Sequence, residues 1–257
     1  MKNFKWFVVL VLTFVFLNSC KKDKKTEDNN QTEPATTGNL KLKFNNNYGT
    51  APLVLNSNNY INNTDTFKVS VFNYYISNIK LTADDNSVYS ESESYHLVKA
   101  QNVSSLAFEL TNIPIKNYKS IAFVIGVDSL RNVSGAQTGA LDPINGHFWT
   151  WSSGYIMAKL EGTSPQSPDP DKKIIFHLGG FKGPYNVLKN VNLTFPNNAV
   201  VAENKTPEVT LKADLKEWFS PFSINFATLN SVQTVGATSK SIADNYAKMF
   251  SVVSVVN

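Results

Sequence analysis

Cysteine is nearly absent from this chain. Its 257 residues contain one, Cys20, so no internal disulfide forms and no pair of thiolates builds a metal site. Histidine is almost as scarce, at three: His96, His147 and His177. They form no His-Glu-x-x-His pair, and the chain has no Gly-x-Ser-x-Gly elbow, no phosphate loop and no Asp-x-Asp-x-Asp-Gly calcium loop. No catalytic residue is assigned, and the chain is not read as an enzyme. Dense Lys/Arg patches with interleaved aromatics are missing too, which argues against nucleic acid as a partner. The net charge of +4 says little. Residues 1–38 hold six lysines against four acidic residues, leaving 18 basic and 16 acidic residues for the remainder. Long apolar runs are also lacking. The run from Trp6 to Leu17 is about twelve residues, short of the roughly 20 that a spanning helix needs.

That short run is nonetheless informative. Lys2 and Lys5 precede it, and Leu17-Asn18-Ser19-Cys20 follows. A basic start, a short apolar stretch and a cysteine after a small residue read as a lipoprotein signal, residues 1–19, with Cys20 as the lipidated first residue of the mature chain. Acyl chains on Cys20 would hold the protein on a membrane. The expected location is the outer membrane, facing the periplasm or the cell surface. Residues 20–38 are polar, with no large apolar side chain after Cys20, and read as a flexible tether. The folded domain is expected over residues 39–257. Without disulfides, a domain of that size depends on a hydrophobic core.

Most of that domain alternates with period two. Leu40–Phe44 reads as a half-buried strand, and so does Phe67–Phe72. Tyr74–Leu81, Tyr95–Val98, Ser105–Leu110, Ser120–Val127, Gly154–Glu161, Lys172–Leu178, Val187–Phe195 and Glu208–Lys212 continue the pattern. Asn, Asp, Pro and Gly supply the breaks. The expected fold is all-β, an antiparallel β-sandwich. Helix is expected in one turn at Asp214–Phe219 and in a short C-terminal stretch, Ser239–Met249.

Chemistry concentrates in few places. In a chain with one cysteine, imidazole is the natural ligand for a soft or borderline metal, so two histidines on neighbouring strands make a candidate site. The region 126–162 is dense in unusual residues, among them His147, Trp149, Trp151 and Tyr155. Trp149 and Trp151 are two apart, so an extended segment projects both rings from one face. They pack the core, stack on a sugar, or offer an oxidisable indole to a metal. Asp169, Asp171, Asp128 and Asp142 read as turn-capping carboxylates rather than as a calcium site.

The run Gly126-x-Asp128-Ser129, Leu141-Asp142-Pro143, Gly146-x-Phe148-Trp149-Thr150-Trp151-x-Ser153-Gly154-Tyr155, Lys159-Leu160-Glu161-Gly162 and Phe176-His177-Leu178-Gly179-Gly180 resembles the MbnP-like domain, lipid-anchored members of which occur in Bacteroidetes-type bacteria. The resemblance extends from the Leu42–Phe44 strand through Asn73–Ile79 to the C-terminal helix. It implies a β-rich fold and a copper site made of two histidines and a tryptophan oxidised to kynurenine by a di-haem peroxidase-like partner. Carried over, His177 matches one ligand position and His96 is the candidate for the other. Trp149, Trp151 and His147 are the supporting or oxidisable groups. Two positions depart from the pattern. The residue two before His96, where a characterised member has its oxidised tryptophan, is Ser94. The family more often has Met at position 147, and either residue ligates a soft metal. Two readings stay open: a copper-handling lipoprotein, and a glycan- or protein-binding module using Trp149, Trp151 and Tyr155 with no metal.

Overall fold

The computed structural model of the protein describes residues 36–62, 65–135, 137–150 and 153–257. The expected signal, Cys20, nearly all of the tether, and Trp151 lie outside the described residues. Residues 34–257 make one compact unit. Its described strands, in chain order, are β1 (Thr37–Tyr48), β2 (Ala51–Pro52), β3 (Tyr60–Asn62), β4 (Asp65–Ala83), β5 (Val88–Ser90), β6 (Tyr95–Lys99), β7 (Ala107–Pro114), β8 (Asn117–Ile125), β9 (Phe148–Thr150), β10 (Gly154–Thr163), β11 (Lys173–Gly179), β12 (Lys189–Val200), β13 (Glu208–Asp214), β14 (Ser231–Val232) and β15 (Phe250–Val256). The helices are α1 (Ser129–Asn132) and α2 (Ala237–Tyr246).

The strands form two sheets. One runs β15-β13-β1-β2, with β7 also on β1; the other runs β12-β8-β4-β10-β11-β14, with β3, β5 and β6 on β4 and β9 on β10. Apolar side chains at every second position turn toward the space between the sheets. There Tyr74 meets Phe44 at 6.3 Å and Phe250 at 5.4 Å between ring centroids. Phe72 meets Trp218 at 5.8 Å, and Phe123 meets Phe250 at 5.0 Å. The all-β sandwich with a short C-terminal helix is what the alternation predicts. The pairing is not wholly antiparallel: β1 lies parallel to β13, and β11 parallel to β14. No hairpin joins either pair, so no tight turn dictates their direction.

Three local expectations need correction. The two runs flanking Asn73 are one strand of 19 residues, β4. Asn73 continues it because its amide finds a partner above the sheet. The tether ends sooner than expected, since β1 takes in Thr37 and Gly38. Gly38 lies so close to β12's end that an added Cβ would sit 2.9 Å from Val201 Cγ1. Finally, the C-terminal helix stops at Tyr246, and Phe250 opens a strand, β15.

Helix α2 docks through Asn245, which is 1% exposed. Its Nδ2 donates to the carbonyls of Trp218 (2.8 Å) and Phe222 (2.7 Å), and its Oδ1 accepts from Phe222 N–H (3.0 Å). The Asp214–Phe219 turn expected from sequence is the 3₁₀ turn Leu215–Phe219, and the asparagine ties α2 to its end. Asn245→Ala would strand the buried Trp218 carbonyl and the two half-buried backbone groups of Phe222. We expect a loss of about 3 kcal/mol of stability, read in urea unfolding as a lower midpoint at unchanged slope.

Candidate metal centre

Sheet register assigns each histidine to a face. Lys99 on β6 pairs with Asn73 on β4, Asn73 with Lys159 on β10, and Lys159 with His177 on β11. These four side chains form one row across the sheet. The row lies on the outer face, because the neighbouring row Val98, Tyr74, Ala158 and Leu178 is buried between the sheets. His96 pairs with Ile76 and is an odd number of residues from Lys99. It therefore points to the inner side, opposite His177.

His96 is engaged there. Its ring stacks on Phe108 of the other sheet, with centroids 3.6 Å apart and planes 3° from parallel. Its Nε2 lies 2.9 Å and 3.0 Å from the two Glu91 oxygens. Ser94, at the place of the family's oxidised tryptophan, is buried; its hydroxyl donates to Glu91 and accepts from Ile79 N–H. The expected convergence of His96 with His177 is not made. Period-two alternation separates them by the thickness of a sheet.

A different histidine shares the face with His177. The segment between β8 and β9 folds back over the outer face. Asp128 caps its short helix α1 by accepting from Arg131 N–H, and also accepts from Asn78 and Tyr95 on the sheet. The segment ends at His147, which is 1% exposed. His147 Nδ1 lies 3.1 Å from the carbonyl of Ile156. A carbonyl only accepts, so Nδ1 carries the proton and Nε2 presents a lone pair. That lone pair accepts from Asn73 Nδ2 at 3.3 Å. Asn73 is itself buried, and its Oδ1 has no hydrogen-bond partner among the described residues.

Burial pushes the His147 pKa down to about 3; the Ile156 carbonyl pulls it up, and Lys159, Lys99 and His177 press it further down. His147 is thus a neutral imidazole at physiological pH, the form that binds metals. The lysines are part of the construction. Lys159 Nζ donates to the Gly146 carbonyl at 2.6 Å, and Lys99 Nζ to Asn145 Oδ1 at 3.0 Å. Both ammonium groups so hold the two residues that precede His147.

His177 Nε2 donates to Glu161 Oε1 at 2.7 Å. That bond holds the Glu161 carboxyl below its ordinary pKa, against the opposing effect of burial. His177 Nδ1 bonds no described residue. Trp149, on β9, lies against the end of β11. Its indole covers Gly179, where an added Cβ would sit 2.4 Å from Trp149 Cζ3. Gly179 is two residues from His177, so the indole lies over the same face. Tyr155, expected as an exposed binding aromatic, is core. It is 1% exposed, and its hydroxyl donates to the Leu141 carbonyl at 2.6 Å. Among the described residues no three or more His, Cys, Asp and Glu side chains gather closely enough to hold an ion. The donors on this face are two imidazoles beside an indole.

The MbnP family model matches residues 37–236. The chain belongs to the MbnP family. A solved structure, MbnP from Methylosinus trichosporium, shares its fold with a TM-score of 0.52 at 14% identity, covering 79% of this chain and 83% of that one. No curated protein matches the sequence. The matched MbnP stretch contains all three histidines and Trp149, and stops at Gly236, just before α2. Sequence reading did not single out Asn73, Lys99, Lys159, Glu161 or Gly179 as site residues in this MbnP domain. All but Lys99 stand in stretches that carry the family resemblance, which was their one signal.

The depressed pKa of His147 has a consequence for stability. Between about pH 6.5 and pH 3 the unfolded chain binds a proton there that the folded chain does not, so stability falls as pH falls through that window. In metal-free protein, His147→Gln is expected to flatten the slope of unfolding free energy between about pH 6 and pH 5 by about 1 kcal/mol per pH unit. Urea unfolding at a series of pH values measures it; an unchanged slope would contradict a neutral, buried imidazole.

Proposed function

We propose that this MbnP-family protein captures copper on the outer face of its larger sheet, with His147 and His177 as ligands and Trp149 beside them. The observation that carries the reading is the way both imidazoles are held on one face. His147 gives its Nδ1 proton to a backbone carbonyl and His177 its Nε2 proton to a carboxylate. Outer partners of this kind fix the tautomer and ring orientation of a metal-binding histidine. His177 Nδ1 is the nitrogen left over on one ring, and His147 Nε2, which accepts only the long bond from Asn73, is the lone pair on the other.

The donor set suits copper. Imidazole and a polarisable aromatic favour a soft or borderline ion, whereas calcium and magnesium require an oxygen cage. The long 3.3 Å contact from Asn73 and its unpartnered Oδ1 mark a buried polar spot beside the His147 Nε2 lone pair. Membership of a copper-associated family supports the same choice. The protein's role is capture and redox partnering rather than turnover. Trp149 is the proposed indole for oxidation to kynurenine, in which a di-haem peroxidase-like partner would use peroxide as the oxidant, the indole C2–C3 bond would break and C2 would leave as formate. Lipidation of Cys20 would anchor the domain at the outer membrane.

Anaerobic Cu(I) titration against a chromogenic chelator tests the assignment. His147→Ala and His177→Ala should each weaken binding at least tenfold, about 1.4 kcal/mol or more, while His96→Ala leaves it unchanged. Gly179→Ala, which displaces the indole, should weaken binding without removing either histidine. Loss of binding in His96→Ala with retention in His147→Ala would return the site to the inner face.

A further inference from the structure

We infer that Lys99 and Lys159 are specificity-determining residues of this site, their paired ammonium groups flanking His147 so that the centre disfavours divalent ions. The inference rests on the copper reading above, and concerns which side chains keep commoner metals such as Zn(II) out.

The argument is positional. Lys99, Asn73 and Lys159 occupy adjacent strands in one row, so each lysine backbone is one strand spacing, about 4.8 Å, from Asn73. His147 rests on the Asn73 amide at the centre of the row. Both lysines bend back onto the covering segment. Lys159 Nζ is held on the Gly146 carbonyl and Lys99 Nζ on Asn145 Oδ1, both next to His147 in the chain.

The counter-charge is incomplete. On the neighbouring part of this face Glu161 supplies one carboxylate, which is bonded to His177. Asp142 supplies a second, but it is turned to the start of the Pro143–Asn145 turn, where it accepts from Ile144 N–H, so the two ammonium groups are the charges tied to the residues next to His147. Neutral imidazoles bring no negative charge of their own. Repulsion between a fixed ammonium and a bound ion scales with the ion's charge. A divalent ion therefore meets twice the opposition that a monovalent ion does. Two imidazoles are good zinc ligands as well as copper ligands; the ligands alone do not discriminate, and the lysines supply the difference.

The test measures Zn(II) and Cu(I) affinities by chelator competition in the full domain and in Lys99→Met, Lys159→Met, the double variant and Lys159→Arg. Removing one lysine should raise Zn(II) affinity roughly tenfold and Cu(I) affinity about threefold, the square root, because repulsion follows ionic charge. The double variant should compound both changes. Lys159→Arg keeps the charge and should keep wild-type selectivity. Equal changes for both ions, a fall in both affinities, or an arginine variant that behaves like the methionine one would overturn the inference by showing that the lysines only hold the loop. Lys99→Met provides an independent reading should Lys159→Met fold poorly. Absence of Cu(I) binding in the wild-type protein would instead overturn the copper reading itself.

Discussion

The hydrogen bond between Asn73 and His147 is the contact on which the outer face depends. It joins the middle of the longest strand to the segment that covers it. An amide buried at that point without a partner would be costly, and so would a buried imidazolium. Each solves the other's problem. Asn73 donates, and His147 stays neutral and accepts. With that bond in place, β4 runs unbroken through a residue type that usually ends strands, and the covering segment has a fixed landing point.

Charge on this face serves position. Lys99 and Lys159 grip Asn145 and Gly146, so the turn before His147 is tied to two strands at once. Glu161 does the same for His177 from the neighbouring strand. His147 is bonded to the scaffold through both nitrogens, to the Ile156 carbonyl and the Asn73 amide, whereas His177 is bonded through Nε2 alone. The hydrogen bonds behind the rings fix their tautomers and orientation, as they would have to for the proposed ligand role.

Packing sets the site's third component. Trp149 reaches the strand end at His177 because Gly179 has no side chain to hold the indole off. The other aromatics of the region do different work. Tyr75 meets His147 edge-on at 5.5 Å, and Tyr155 at 5.8 Å, forming a buried floor beneath the covering segment. A dense aromatic stretch thus divides into a layer that packs and an indole that lies over the histidine face.

Local patterning carried much of the fold. The alternation in Leu40–Phe44 and Gly154–Glu161 is visible because each strand has one wet and one dry face. The short C-terminal helix is visible because Ile242 and Tyr246 recur on one side. The break read at Asn73 was misleading because its partner, His147, is remote in sequence. Strand β15 follows α2 so closely that the helical pattern masked its beginning. The MbnP resemblance was legible in the Trp-x-Trp-x-Ser-Gly-Tyr stretch, and His177 came with it. The identity of its neighbour was not. By itself the sequence determined that the chain is a disulfide-free β-sandwich of the MbnP family with three imidazoles as its scarce candidate ligands, since composition and period-two alternation are local properties. Tertiary structure alone decided that His147 rather than His96 stands with His177. Which side chains share a face depends on the register between strands distant in the chain, and a shift of one residue moves a side chain to the other side of the sheet.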